Sequence, residues 1–311
     1  MKTVLVTGAT GFIGTAVVRQ LLEDEECVVH AVTPSDDATL PTHKRLKWHT
    51  VNLLDEKQVD STLATVKPSH LLHLAWYVEH GKFWSAPENL TWLSASLHLV
   101  RQFAAVGGKR AVCAGTCFEY DHSTTEHLTE YGSPLRPASL YAASKQSLYF
   151  LLENLVKDLG ISLGWGRIFF LFGPGENERR IVPYVVTTLL RGGTAKVSHG
   201  KQIRDFASLD YVAQGFVKFL LSDVEGAVNI ASGQAITIRQ LIETVSQIIG
   251  REDQVEYGAI SAPANDPASI VANTDRLKNE VGFSRRMNLH EELENTVAWW
   301  KEKADSKLMD P

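Results

Sequence analysis

Tyr141 and Lys145, in the run SLYAASK, stand four residues apart, so on a helix they share one face. That spacing fits two readings. One is a surface pair on an exposed helix. The other is a phenol that moves a proton beside the ammonium that tunes it. A free tyrosine titrates near pH ~10, poorly matched to proton transfer at neutral pH, and an ammonium one helical turn away would favour the phenolate. The second reading needs company. Thr116 provides a hydroxyl at the end of the strand-like run AVCAGT, 25 residues before Tyr141, although a threonine there can also do no more than satisfy its own turn. Gly8, Gly11 and Gly14, in VLVTGATGFIG, follow the first strand-like run and lead into a helical pattern. Glycines so placed let backbone approach a pyrophosphate at a positive helix N-terminus; a lone GxxGxxG is weak, and its place after the first strand of a βαβ pattern strengthens it. Hydride transfer at a carbonyl needs a proton donor on its oxygen. Thr116, Tyr141, Lys145 and a dinucleotide would together provide one.

The second strand should end near the ribose of that dinucleotide. NAD sites commonly place an acidic residue about 20 residues past the glycines. Here VVHAVTPSD offers Thr33, Pro34 and Ser35, with Asp36 and Asp37 later and expected out of reach. Hydroxyls tolerate a 2′-phosphate where a carboxylate would repel it. NADP(H) is therefore expected over NAD(H), with Thr33 and Ser35 at the ribose and Lys44 or Arg45 able to fold back.

Alternating elements must position these groups. Strands are expected at 3–7, 28–33, 46–51, 70–75, 110–115 and 161–168, with helices at 12–24, 55–66, 89–105 and 141–159. Such alternation of apolar strands and helical periods predicts a parallel sheet covered on both faces. After about residue 172 the rhythm loosens. Helices are expected at 181–192, 209–222, 237–250 and 289–303, strand and loop at 194–206, a short strand at VNIA, and loop at 258–269. With 311 residues, 44% of them apolar, the chain has enough material for one large domain or two smaller ones. A net charge of −5 and no basic stripe argue against nucleic-acid binding. Cys27, Cys113 and Cys117 make no disulfide framework and fit a reducing compartment, and no metal-ligand spacing occurs. No apolar run approaches the roughly 20 residues of a membrane span, and a cytoplasmic protein is expected.

The motifs GATGFIG, HLAW, GTCFEY, YAASK, GRIFFLFGPG and QIRDF, in that order, resemble those of extended short-chain dehydrogenases/reductases acting on nucleotide sugars, the NAD-dependent epimerase/dehydratase family. The resemblance runs from Thr3 to about Trp300. It implies a Rossmann-type doubly wound sheet over 1–172 and a smaller α/β substrate lobe over 173–311, with some chain crossing between them. It further implies that Gly8, Gly11, Phe12, Ile13 and Gly14 cradle the pyrophosphate, that Asn52 and Leu53 meet the adenine, and that Leu74, Ala75 and Trp76 run under the cofactor. Thr116, Tyr141 and Lys145 match the active-site trio. Arg204 matches an arginine that binds sugar-nucleotide phosphates, suited to bidentate contact. Cys117, Arg180 and Asp266 complete the substrate side.

Several positions depart from the family pattern. Cys117 and Phe118 replace the Asp-Glu pair of 4,6-dehydratases, which removes the acid/base pair that elimination needs. Glu119 is expected to point away by strand alternation. Pro263 stands where relatives have an arginine, Ser94 where they have an asparagine beneath the catalytic helix, and Phe170 where epimerases have an asparagine facing the sugar. The segments GKQIRDF and 257–283 are most similar to reductases of the abequose-synthase type. The resemblance thus implies NADPH-dependent reduction of the 4-keto group of a nucleotide-linked 4-keto-6-deoxyhexose, with Tyr141 as proton donor. The alternatives are a 4-epimerase with tightly held NAD and a non-catalytic cofactor-binding protein. Trp76, Tyr77, Phe83, Trp84 and Trp92 could stack on a ligand or pack a loop. His73, His80 and His98 are expected to be structural. Helices 89–105 and 141–159 match a pair through which relatives dimerise, with Tyr149, Leu152 and Leu155 facing the partner or the monomer's own core.

Overall fold

The computed structural model describes residues 1–35, 39–123, 127–264 and 266–309; Asp36 and Asp37 lie outside them. In the first half the chain runs β1 (Lys2–Thr7), α1 (Phe12–Glu23), β2 (Cys27–Thr33), β3 (Leu46–Thr50), α2 (Glu56–Val66), β4 (His70–His73), α3 (Glu88–Ala105), β5 (Arg110–Thr116), α4 (Leu140–Leu159), β6 (Ser162–Ile168) and β7 (Phe170–Phe172). It continues with α5 (Ile181–Leu190), β8 (Ala195–Val197), β9 (Ile203–Ser208), α6 (Leu209–Leu221), β10 (Gly226–Ile230), β11 (Ala235–Thr237), α7 (Ile238–Ile249), β12 (Val255–Tyr257), β13 (Ser269–Ile270) and α8 (Leu289–Met309).

Seven strands form one parallel sheet in the order β10-β6-β5-β4-β1-β2-β3. The order reverses between β1 and β4, the crevice where such sheets bind ligands at their carboxyl ends. Both faces of the sheet are covered. α1 and α6 pack one face with Val4, Val6, Val17, Phe216 and Phe219 in the core, while α3 and α4 pack the other with Leu5, Leu71, Phe103, Leu148 and Trp165. Every residue of β5 is buried, which is why the strands read as continuous apolar runs rather than alternating ones. The chain returns to this sheet late, through α6 and β10, after β7, β8 and β9 have left it. Two small sheets, β11-β9-β13 with β7 alongside β9, and β12-β8, pack with α5, α7 and α8 around a separate core that includes Val185, Leu241 and Trp300.

The expected elements form, with most ends shifted by a residue or two for chemical reasons, while α8, expected to end at 303, runs on to Met309. Asp55 stays outside α2 as its cap, accepting from the amides of Lys57 and Gln58. Ser139 caps α4 by accepting from the Ala142 amide, and Gly160, in the left-handed region, closes it. Strands β7, β11, β12 and β13 are too short to show a period, and tertiary pairing alone makes them strands. Among the described residues no helix is long and apolar enough to cross a membrane.

Candidate active site

The turn between β1 and α1 is built by close approach. Gly8 has φ 70, and a Cβ there would stand 2.8 Å from the Ala75 amide nitrogen; a Cβ on Gly14 would stand 1.9 Å from the Gly8 carbonyl oxygen. Side chains would thus push the turn apart and drive α1 off the strand. Gly11 is the helix N-cap and has no side chain to satisfy the first amides. An uncapped helix N-terminus with open backbone is what a pyrophosphate needs, so the residues present fit a dinucleotide.

A cavity of about 500 Å³ runs from this turn across the carboxyl ends of β4, β5 and β6. Gly8, Gly11, Phe12, Ile13, Gly14, Leu74, Ala75 and Trp76 line one end; Thr116, Tyr141 and Lys145 line it further on, with Glu176, Asn177 and Arg180 also in its wall. The cradle and the trio expected from sequence therefore share one cavity. The Lys145 ammonium is buried, donates to the Ala114 carbonyl at 2.9 Å and sits 3.9 Å above the Trp76 ring. Burial holds its pKa down at about 7, against smaller opposing pulls from Cys113 and Glu119. Burial also pushes the Tyr141 phenol up, with a hydrogen bond from Thr116 and the charge of Arg180 acting the other way. The expected lowering of Tyr141 by Lys145 is not found; burial of the ring dominates.

Thr116 is held from behind. A single 3₁₀ turn, Cys117–Glu119, follows β5, and Glu119 reaches back to accept from the Thr116 amide at 2.8 Å while the Thr116 hydroxyl accepts from the Phe118 amide. This is a capping box, and its T-x-x-E signature is present in the sequence, where it was not used. Glu119 points away from the cavity, as expected, but because the chain turns rather than because a strand alternates. Its carboxylate is fully buried against Arg167 Nε at 2.7 Å and Trp165 Nε1 at 3.0 Å.

The aromatic residues divide. Phe83, Trp84, Phe118 and Phe170 line the cavity with Tyr141, whose ring meets Phe83 and Trp84 edge to face at 4.9 and 5.9 Å. The Trp84 carbonyl also accepts from the Tyr141 amide, tying the 76–87 segment to the start of α4. Trp76 lines the cavity and leans on Trp92, which belongs to the core beneath. Tyr77 instead bonds Glu79. His73 links Thr7 on β1 to Ser96 on α3 through both ring nitrogens, and burial keeps it neutral, with a pKa of about 3.

Other expected positions fall elsewhere. Cys117 does not line the cavity; the 3₁₀ turn buries it in a small apolar cluster with Tyr120 and Ile270 and brings Phe118 to the wall instead. Arg204 and Asp266 bond each other, with Gln202 adding a 3.0 Å bond to Asp266, and the Arg204 guanidinium lies behind the Phe170 ring. Their charges satisfy one another outside the cavity lining. Ser94 is exposed, not beneath α4; the buried polar residues of α3 are Asn89, Ser96 and His98. Thr33, Ser35, Asn52 and Leu53 stand beyond the cavity at the ends of β2 and β3. Thr33 is buried and donates to the Ser35 carbonyl, and Arg45 spends its guanidinium on the carbonyls of Leu22, Asp24 and Cys27, so it does not fold back to the ribose. Among the described residues no cluster of His, Cys, Asp or Glu could hold a metal ion.

Comparison with known proteins places this geometry. The NAD dependent epimerase/dehydratase family matches residues 4–231. The chain is 25% identical to the UDP-glucuronate 4-epimerase of Thermodesulfobacterium geofontis, over 96% of each chain. Its fold is similar to that of a UDP-N-acetylglucosamine 4-epimerase from Methanobrevibacter ruminantium, solved with UDP-N-acetylmuramic acid (TM-score 0.86, 25% identity, 97% and 99% of the two chains). It is also similar in fold to the UDP-glucose 4-epimerase of Thermotoga maritima, solved with UDP-glucose (TM-score 0.87, 21% identity, 97% and 99%).

Proposed function

The chain belongs to the NAD dependent epimerase/dehydratase family, and from that premise we propose that it is a nucleotide-sugar 4-epimerase working with bound NAD. The observation that carries the reading is the single cavity that joins the glycine turn to Thr116, Tyr141 and Lys145. The 4-epimerases to which the chain is similar over nearly its whole length support this outcome over net reduction of a 4-keto sugar. NAD is favoured over the NADP(H) expected from sequence, since Arg45, one of the two cations expected at a 2′-phosphate, is held by the carbonyls of Leu22, Asp24 and Cys27.

In this reading Tyr141 removes the proton of the sugar 4-hydroxyl and later returns it. Bound NAD supplies the acceptor and then the donor of the C4 hydride. Thr116 holds the oxygen against Tyr141. Lys145, whose pKa burial holds down at about 7, favours the phenolate through its protonated form. Phe83, Trp84, Phe118 and Phe170 grip the sugar through apolar faces, which lets the 4-keto intermediate turn before hydride returns to its other face. Cys117 and Phe118 supply no acid/base pair for elimination. The dinucleotide lobe is drawn from 1–172 without β7 and with α6 and β10 crossing back into it, the nucleotide-sugar lobe from the rest of 173–311 with β7, and association as a homodimer through α3 and α4 completes the assembly.

The test is incubation of purified protein with UDP-glucose, UDP-N-acetylglucosamine and UDP-glucuronate, followed by NMR. Isomerisation at C4 without net change in NADH absorbance, and NAD released on denaturation, is the expected result. Stoichiometric NADPH loss on a 4-keto-6-deoxy nucleotide sugar would replace it with the reductase.

A further inference from the structure

Glu176 is a carboxyl in the cavity wall that the reaction as described does not use. It sits in the turn Gly173-Pro174-Gly175-Glu176-Asn177 between β7 and α5 and is only 8% exposed. One carboxyl oxygen lies 3.5 Å from Arg180 Nε, a loose contact, and the other has no hydrogen-bond partner. A buried carboxyl oxygen left unpaired is costly, and a ligand group would supply the partner it lacks. Arg180, which touches Glu176, lines the same cavity as Tyr141.

Resting on the functional reading above for the identity of the ligands, we propose that Glu176 is a further ligand-binding residue whose carboxyl group donates a hydrogen bond to an uncharged acceptor of the bound ligand. That acceptor is an amide or hydroxyl oxygen, brought either by the nicotinamide carboxamide or by the sugar. Burial outweighs Arg180 and holds the carboxyl up at about 8, so it is protonated at neutral pH. The other titratable or charged groups of the cavity wall are Arg180 on the same turn, Tyr141 and Lys145 on α4, and His80 on the 76–87 segment. Of these Lys145 also titrates close to this range, at about 7.

The sign follows from the donor. Below pH 8 Glu176 carries the proton and the bond forms; above it the carboxylate faces an acceptor oxygen and repels it. Affinity should fall by up to about tenfold per pH unit beyond that point. Glu176→Gln keeps an N–H donor at every pH and leaves Lys145 in place. Titration of UDP-glucose by calorimetry into the NAD-bound protein, and of NADH by fluorescence after charcoal removal of the bound NAD, both from pH 6 to 9.5, compares the two proteins. The wild-type and variant Kd curves should run parallel below about pH 7.5 and separate above 8. Separation with NADH assigns the acceptor to the nicotinamide, and separation with UDP-glucose assigns it to the sugar. Parallel curves for both ligands overturn the proposal. If Glu176→Gln melts well below wild type, Glu176→Met replaces it: its loss of affinity should be largest at pH 6.5 and shrink by 9.5, and a loss independent of pH overturns the proposal. Separation of the NADH curves in a protein that fails to epimerise any sugar would leave the Glu176 assignment standing and remove the functional reading.

Discussion

At the scale of single residues, the cavity sets burial against charge. Tyr141 and Lys145 share a helix face, yet the larger effect on each is loss of water. The phenol is therefore a poor acid, and the ammonium is held against its loss of water. Tyr141→Phe removes only the hydroxyl, and turnover should fall about a hundred- to ten-thousand-fold with NADH affinity little changed, measured by steady-state kinetics and fluorescence titration. Lys145→Met should abolish turnover and at the same time raise the melting temperature. The folded pKa of about 7 lies below the unfolded value of 10.5, so the wild type is penalised most below pH 7 and regains stability as pH rises from 7 to 10.5. The variant's thermal advantage should accordingly be greatest near pH 6 and shrink towards pH 10. An advantage that does not change with pH would mean that Lys145 is not titrating in the fold.

At the scale of elements, the active hydroxyl depends on what happens after its strand ends. β5 delivers Thr116, and the 3₁₀ turn returns Glu119 to the Thr116 amide. The same carboxylate pairs with Arg167 on β6, and Arg167 continues to the Tyr120 hydroxyl and the Glu130 carbonyl. This buried network locks β5, its turn and β6 into one rigid edge of the cavity. Removing one partner strands the other charge without water. Glu119→Ala should cost about 3–5 kcal/mol in chemical denaturation, and where the variant still folds, its kcat should fall because Thr116 is no longer held. A small change in denaturation midpoint would show that Arg167 finds other acceptors. The Phe118 ring reaches the cavity through the same turn, so one local turn decides both the anchor of the hydroxyl and the apolar wall.

At the scale of the whole molecule, the large parallel sheet carries the cradle and the trio, while β7 and the turn that follows it close the cavity from the other side. The outer surface of α3 and α4 leaves Leu90, Phe150 and Leu151 exposed, at 56%, 65% and 44%. Tyr149 and Leu152, expected to face a partner or the core, turn inward, with Leu152 fully buried. A dimer through these helices therefore rests on Leu90, Phe150 and Leu151. Light scattering at micromolar concentration should give twice the chain mass for the wild type and the single-chain mass for the double variant Phe150→Lys, Leu151→Lys. A wild type with single-chain mass would remove the dimer.

The order of strands and helices, the glycine turn and the pairing of Tyr141 with Lys145 are local: each is written in spacing a few residues long, and each was legible in the chain. The T-x-x-E of Thr116 and Glu119 was equally local and was there to be read. Tertiary structure alone decided which groups are short of water and which already have partners. Arg204 meets Asp266, Arg45 meets three carbonyls, Cys117 sinks into a cluster, and Glu176 lies in the cavity wall with one oxygen unpaired. Those outcomes depend on contacts between residues far apart in the chain. The free energy of a charge is set by the solvent and partners around it, and residue spacing carries no record of either.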